Sequence, residues 1–145
     1  MTSKIIPDVE VATLLYNSGW TGYDCVRVLQ ALIAENNLDA YALNPLSKPG
    51  QPDDHSVDVG LCSLNTHWIP EPTLWERLNP ERSIQWSRLY WDRWMRRPEV
   101  LAIQPYAFRR DYVLSKMWHA VDTVRFGAAF NRSIAACRAA GVPGV

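Results

Sequence analysis

Two carboxylates in the first half of the chain have the residue type and surroundings that general acid catalysis needs. Glu35 lies in the segment ALIAENN, at the end of an apolar run that includes Leu32 and Ile33. Burial beside such side chains raises the pKa of a carboxyl, because it disfavours the charged form. A glutamic acid that stays protonated near neutral pH can donate a proton to a leaving group. Glu35 is therefore a candidate general acid; the alternative is a capping or solvated side chain.

The second carboxylate, Asp58, lies in the alternating segment HSVDVGLCSLNTHW, residues 55–68. An aspartate inside a strand pattern is locally unfavourable unless it occupies a turn or serves a function. Glu35 and Asp58 together offer a proton donor and a second carboxylate on separate elements, which is the pair that glycoside cleavage requires. Two unrelated polar residues would show the same spacing, so the residues alone leave both interpretations open.

The histidines of the same region raise the question of a metal site. His55 and His67, with Asp53 and Asp54 nearby, match no standard ligand spacing, and His119 is far away in the sequence. The chain also has no glycine-rich phosphate loop, no Gly-x-Ser-x-Gly motif and no cysteine paired with a local histidine. We therefore expect neither a metal nor a cofactor.

The helix that carries Glu35 is expected to lie in the core. Residues 21–36 have Thr21 as N-cap and apolar side chains on more than one face, a pattern typical of a buried helix. Before it, residues 7–19 predict a short helix that ends at Gly19. Glu35 would then close a buried helix.

Asp58 is expected in a small β region. Residues 44–54 contain three prolines and a glycine, which predicts a loop. Residues 55–68 alternate through Val57, Asp58 and Val59, which favours a small hairpin or extended segment over a helix.

The second half of the chain predicts helices. Pro72 lies near one helix start, and Asn79 followed by Pro80 is typical of an N-cap and the first helical residue. The last helical stretch predicts one long helix or two, with Gly127 as a candidate break and Gly141 as the C-terminal stop. Helices around a small hairpin make the expected fold class α+β, mainly α, in a single domain of residues 1–145.

The tryptophan content and the charge distribution indicate which kinds of ligand the protein could bind. Seven Trp among 145 residues supply core volume, and they also offer flat apolar faces for rings such as sugars and bases. Residues 1–75 carry three basic and nine acidic side chains, a net charge of −6, whereas residues 76–145 carry twelve and six, a net charge of +6. The basic half either attracts a polyanion, such as nucleic acid or an anionic wall polymer, or folds against the acidic half and is neutralised.

The cysteines and the N-terminal residues indicate the cellular compartment in which the protein is expected to fold. Cys25, Cys62 and Cys137 are widely spaced and form no Cys-x-x-Cys motif, which is typical of small core residues in a reduced compartment. No apolar stretch follows the opening MTSK and no apolar run reaches membrane-spanning length, so we expect neither a signal peptide nor membrane insertion. A protein that folds in a cytoplasm needs release or carriage to act outside it.

Four segments resemble the lysozyme-like superfamily. SVDVGLCSLNTHW resembles the Ser-x-Asp-x-Gly…Leu/Ile-Asn…Trp segment of the small β region in lysozymes, and is similar to the Gly-Leu-Met-Gln-Ile-Asn segment of soluble lytic transglycosylases. ALIAENNLDAYALNP resembles the end of their catalytic helix, and LNPERSIQWSRLYW resembles the start of the next one. LLYNSGWTGYDCVRVLQALIAE is similar to the opening helices of transglycosylase-like lysins from bacteriophages. The resemblance covers about residues 10–95, and the helical part over 99–145 stays unassigned.

The resemblance implies roles for individual residues. Glu35 falls on the catalytic general acid and Asp58 on the second carboxylate of the animal-type lysozymes. The candidate substrate-binding residues are Ser56, Ser63, Asn65 and Trp68.

The chain departs from the family pattern at three places. Ser63 stands where the family has Gln, Asn36 follows the glutamate where the family has Ser, and the late Tyr-Asn-x-Gly motif has no close counterpart. These departures support an alternative function, a catalytically weak or inactive lysozyme-fold component of a phage tail or virion.

The preferred function is peptidoglycan degradation. The resemblance implies a muramidase or lytic transglycosylase that cleaves the β-1,4 bond between N-acetylmuramic acid and N-acetylglucosamine. The expected partners are glycan strands and, for a virion component, other phage tail proteins. The expected location is the host cytoplasm before lysis, as an endolysin, or the virion tail. A third interpretation is nucleic-acid binding through the arginine-rich second half, which would be strongly salt-dependent; since no docking motif is present, we expect no nucleic-acid partner.

Overall fold

The computed structural model describes residues 2–45 and 56–145. Within these residues the chain is mainly helical with a small three-stranded antiparallel sheet, which confirms the α+β, mainly α, class. The helices are α1 (Asp8–Asn17), α2 (Gly22–Asn36), α3 (Leu74–Leu78), α4 (Pro80–Met95), α5 (Pro98–Leu101), α6 (Tyr106–Met117), α7 (Val124–Ala128) and α8 (Phe130–Ala139), with a 3₁₀-helix (His119–Asp122) between α6 and α7. The strands are β1 (Leu43–Pro45), β2 (Val57–Val59) and β3 (Leu64–Asn65).

Helix α2 is the central element of the core, as its apolar pattern predicts. Nine of its residues are buried, on several faces, and the helix packs mainly against α1 and α8. Thr21 occupies the N-cap in an extended conformation, and Asn37 ends the helix in the left-handed region with φ of 55°. Buried side chains of α1, α4, α6 and α8 join those of α2 in one hydrophobic cluster. A rigid, buried helix therefore carries Glu35 in its last turn.

The predicted β region is confirmed, and it is one strand larger than the sequence indicated. Strands β2 and β3 form the hairpin within residues 55–68, with Asp58 opposite Asn65. The sequence predicted a loop at residues 44–45, but these residues belong to β1, where Asn44 lies opposite Asp58. The loop prediction failed there because Pro45 lies at the last position of an exposed edge strand, where proline removes no needed ladder hydrogen bond. The rest of the predicted loop, and His55, lie outside the described residues.

Gly60 allows the hairpin to pack closely on α3. Its φ is +83°, a region that side chains rarely adopt, and a Cβ atom there would lie 1.8 Å from the backbone oxygen of Arg77. Arg77 is itself buried, and its guanidinium donates hydrogen bonds to the carbonyls of Pro72, Leu64 and Ile69 at 3.2, 3.0 and 2.6 Å. These contacts fix β3 and the segment after it to α3.

The helix starts of the second half follow local capping chemistry. Helix α3 begins after Thr73, one residue beyond Pro72, with a capping box in which Thr73 and Glu76 bond each other's backbone N–H. Asn79 and Pro80 are the N-cap and first residue of α4, as predicted, and the Asn79 side chain accepts a hydrogen bond from the Arg82 N–H at 3.0 Å. No helix in the described part of the chain is both long and apolar enough to cross a membrane.

The prediction of one or two helices in the C-terminal part is wrong. After α6 the backbone becomes extended at Trp118 and again at Thr123, and Gly127 lies inside α7 rather than at a break. The buried indole of Trp118 donates a hydrogen bond of 3.0 Å to the Cys62 carbonyl. This anchor turns the chain out of α6 toward the β hairpin. Gly141, with φ of +76°, follows the end of α8 as expected.

Candidate functional site

Glu35 is held at the meeting point of α2 and the 3₁₀-helix. Its carboxylate accepts a hydrogen bond of 2.9 Å from the backbone N–H of Ala120. Burial raises the pKa of this carboxyl; the Ala120 hydrogen bond lowers it, and the negative charge of Asp58 raises it further. The nearby His119 and Arg125 side chains oppose the rise by smaller amounts, and the net pKa is raised. Glu35 thus has the environment of a proton donor.

Asp58 lies in the middle of β2 and is only 8% exposed. Its Oδ1 accepts a hydrogen bond of 2.9 Å from the amide of Asn65, the residue opposite it in β3. Burial raises the pKa of Asp58; the Asn65 hydrogen bond and the nearby His119 side chain oppose this rise by smaller amounts, and the net pKa is raised. Because ionised Asp58 raises the pKa of Glu35, the pair favours Glu35 as the group that keeps its proton.

Asn65 is fixed at both ends of its amide. Its nitrogen bonds Asp58, and its oxygen accepts from the backbone N–H groups of His67 and Trp68 at 2.9 and 3.0 Å. The amide therefore orients the Asp58 carboxylate and at the same time sets the turn that presents Trp68, whose side chain is 73% exposed.

The two carboxylates lie where two cavities meet. One cavity has a volume of about 690 Å³ and the other about 550 Å³, and Glu35, Asp58 and Ser63 line both. The larger cavity continues along residues that include Asp39, Tyr41, Asn44 and Arg125. The smaller cavity continues along residues that include Asn65, Trp68, Tyr90, Trp94, Arg97, Lys116 and His119. The carboxylates thus lie within an extended cleft, with space for a ligand on both sides.

The two local departures from the family pattern contact each other. The amide of Asn36 donates to the carbonyls of Gly60 and Leu61 at 3.0 and 3.1 Å, and approaches the Ser63 hydroxyl at 3.4 Å. Ser63 occupies the left-handed region with φ of 52°. Asn36 therefore ties the end of α2 to the hairpin turn, and this tie holds the element that carries Glu35 against the element that carries Asp58.

The cleft brings together most of the residues singled out from the sequence. Ser63, Asn65 and Trp68 line it with the two carboxylates, whereas Ser56 is buried beside β2 and is not among the lining residues. Trp75, another strongly exposed tryptophan, lines neither cavity of the cleft; it borders a neighbouring cavity that shares Tyr41 with the larger one. Among the described residues no group of three His, Cys, Asp or Glu side chains could hold a metal ion.

Several site residues come from the part of the chain that the sequence left unassigned. Ala120, His119 and Arg125 surround Glu35 from the 3₁₀-helix and α7, and Lys116 lines the cleft from α6. A backbone N–H carries no sequence signal, and the break at Trp118 that aims Ala120 at Glu35 depends on a tertiary contact. These residues were therefore missed.

No protein-family model, no curated protein and no solved structure matches the chain. The fold and the site define a mainly helical α+β domain with an open cleft that holds two oriented carboxyl groups, the buried Asp58 and the half-buried Glu35. The chemistry open to such a cleft is proton donation by one carboxyl and stabilisation of positive charge by the other.

Proposed function

We propose that the protein is a peptidoglycan-degrading glycosidase that cleaves the β-1,4 bond between N-acetylmuramic acid and N-acetylglucosamine. The observation that carries this proposal is the position of Glu35 and Asp58 on both cavities of one cleft, with the pKa of Glu35 raised by burial. A sugar chain that crosses the carboxylates needs room on both sides of the cleaved bond, and the cleft provides it. The resemblance of residues 10–95 to lysozymes and lytic transglycosylases supports the same substrate.

Each carboxyl has a separate role in the proposed reaction. Glu35 donates its proton to the glycosidic oxygen, so the leaving sugar departs as an alcohol. Asp58, oriented by Asn65, stabilises the oxocarbenium-like centre or attacks it. Water then completes hydrolysis in a muramidase, whereas the 6-hydroxyl of the muramyl sugar closes to a 1,6-anhydro product in a lytic transglycosylase.

The contact between Asn36 and Ser63 favours an active enzyme over a catalytically inactive structural component. The two residues that depart from the family pattern share a polar contact that ties the two catalytic elements together. We therefore prefer the enzyme, as an endolysin or a virion-associated lysin of a bacteriophage, over a structural tail component.

The test is mass spectrometry of purified peptidoglycan after incubation with the protein. New reducing ends would identify a muramidase, and 1,6-anhydro ends would identify a lytic transglycosylase. If the folded protein releases no fragments of either kind, the glycosidase proposal is wrong and the structural alternative takes its place.

A further inference from the structure

The basic second half is neutralised only in part by the acidic first half. Within residues 2–45 and 56–145, three ion pairs connect the halves: Arg132 with Asp8 at 2.7 Å, Arg93 with Glu71 at 3.1 Å, and Arg110 with Asp24 at 3.7 Å. Contacts between the two halves therefore account for part of the charge asymmetry of the sequence. Some of the basic side chains outside these ion pairs line the cleft, where they could bind a ligand.

Two of these remaining cations line the smaller cavity of the cleft. Arg97 and Lys116 form no ion pair with any acidic side chain in the described part of the chain, and both border the cavity that contains Glu35 and Asp58. Both side chains are exposed, so neither is needed to fill the core. The opposite cavity, by contrast, includes one further cation, Arg125, together with the carboxylate of Asp39.

Aromatic rings, rather than counter-ions, hold the two cations. The Arg97 guanidinium lies 3.7 Å from the centroid of the Trp94 ring, and the Lys116 ammonium lies 5.2 Å from that of Tyr112. A guanidinium stacked on a ring keeps its in-plane N–H donors available for a planar anion such as a carboxylate. The arrangement is suited to a negatively charged ligand that approaches from the cleft.

We propose that Arg97 and Lys116 bind the carboxylates of the peptide attached to N-acetylmuramic acid, so that the enzyme prefers peptide-bearing glycan strands. This inference rests on the proposed function. The N-acetylated sugar units of such strands are uncharged, because the carboxyl of the lactyl group is amide-linked to the peptide. The free carboxylates near the cleaved bond therefore belong to the peptide, and a cation pair at one end of the cleft also fixes the direction in which a strand lies.

The test compares native peptidoglycan with the same material after its free carboxylates have been converted to methylamides by a water-soluble carbodiimide and methylamine. Binding is measured by co-sedimentation with the insoluble polymer, and cleavage by fragment release. We expect the wild-type protein to bind the amidated polymer about tenfold more weakly than the native one, the change that the loss of one good ion pair gives.

Variants assign the effect to these side chains. Arg97→Gln and Lys116→Gln should each weaken binding to native peptidoglycan several-fold and leave binding to the amidated polymer unchanged. Arg96→Gln is the matched control, because Arg96 is exposed at the end of α4 but does not line the cleft. Equal binding of the wild-type protein to both polymers, or equal losses of the variants on both, would overturn the inference. The binding result stands even if no fragment is released, an outcome that would count against the glycosidase proposal alone.

Discussion

The carboxylate of Glu35 and the backbone N–H of Ala120, 85 residues apart in the chain, are joined by a hydrogen bond of 2.9 Å. Glu35 lies in the last turn of the central helix α2, and Ala120 lies in the 3₁₀-helix that begins where Trp118 is anchored to the hairpin. The C-terminal part of the chain therefore completes the site that the N-terminal part begins. An activity that depends on Glu35 depends on both.

The raised pKa of Glu35 predicts a pH dependence of stability with a definite sign. A carboxyl whose pKa is higher in the folded state than in the unfolded state stabilises the fold at low pH, and this stability is lost as pH rises through the folded-state pKa. Glu35→Gln removes the half-buried charge, so the variant should be more stable than wild type at pH 7–8. The difference should fade toward the ordinary glutamate pKa of 4.5. Urea unfolding of both proteins between about pH 4.5 and pH 8 measures this difference in stability. A Glu35→Gln protein that is less stable than wild type at pH 7 would contradict the prediction.

The same shift predicts the alkaline side of the activity profile. Glu35 acts in its protonated form, so fragment release should decline as pH rises through its raised pKa, at a higher pH than an ordinary glutamate would give. Asp58→Asn removes a negative charge that raises this pKa, and residual activity should then decline at a lower pH. Initial rates of peptidoglycan clearing over pH 4–9 measure the alkaline decline of the wild-type protein and of Asp58→Asn. If the decline lies at the same pH in both, the charge of Asp58 does not raise the pKa of the proton donor.

Gly60→Ala should destabilise the protein by about 2 kcal/mol or more, because the new Cβ would overlap the Arg77 backbone oxygen at a positive φ. Gly127→Ala is the matched control: that glycine lies in α7 with no heavy atom within 4 Å of the added Cβ. The control should leave stability unchanged or raise it by up to about 1 kcal/mol. Urea midpoints measure both, and similar midpoints for the two variants would refute the close approach at Gly60.

Arg77→Lys should cost about 2–4 kcal/mol of unfolding free energy, because a lysine cannot serve the three carbonyls that the buried guanidinium bonds. Arg82→Lys, at an exposed position of α4, should change it by less than about 0.5 kcal/mol. Chemical denaturation of both variants is the measurement. If lysine at position 77 is tolerated as well as at position 82, the Arg77 contacts contribute little.

Trp68→Ala should raise the KM for peptidoglycan about tenfold with little change in kcat or stability, because its exposed ring borders the cleft and offers a face to a sugar. Trp75→Ala removes a ring of similar exposure, 63%, from a different cavity, and should leave KM unchanged. Steady-state clearing assays compare the two variants, and an unchanged KM for Trp68→Ala would mean that Trp68 is not part of the binding surface.

Much of the fold and of the carboxylate pair could be predicted from local patterns. The apolar faces of α2, the alternation around Asp58 and the Asn79–Pro80 cap are properties of short segments, and each is present in the structure. What failed depends on contacts between distant segments. Trp118 ends α6 because its indole reaches Cys62, and β1 forms because β2 offers it a partner. For the same reason, the positions of Ala120, Arg97 and Lys116 at the site could not be predicted from the sequence.

The most direct test of the account is parallel digestion of purified peptidoglycan by wild type and Glu35→Gln, with Glu10→Gln as the control for an exposed glutamate of α1. Mass spectrometry should find glycan fragments with wild type and Glu10→Gln. Their rate of release should fall by about 10²–10⁴-fold with Glu35→Gln, which keeps the side-chain shape but cannot donate the proton. Full activity of a folded Glu35→Gln protein would contradict the account, since the proton donor would then lie elsewhere.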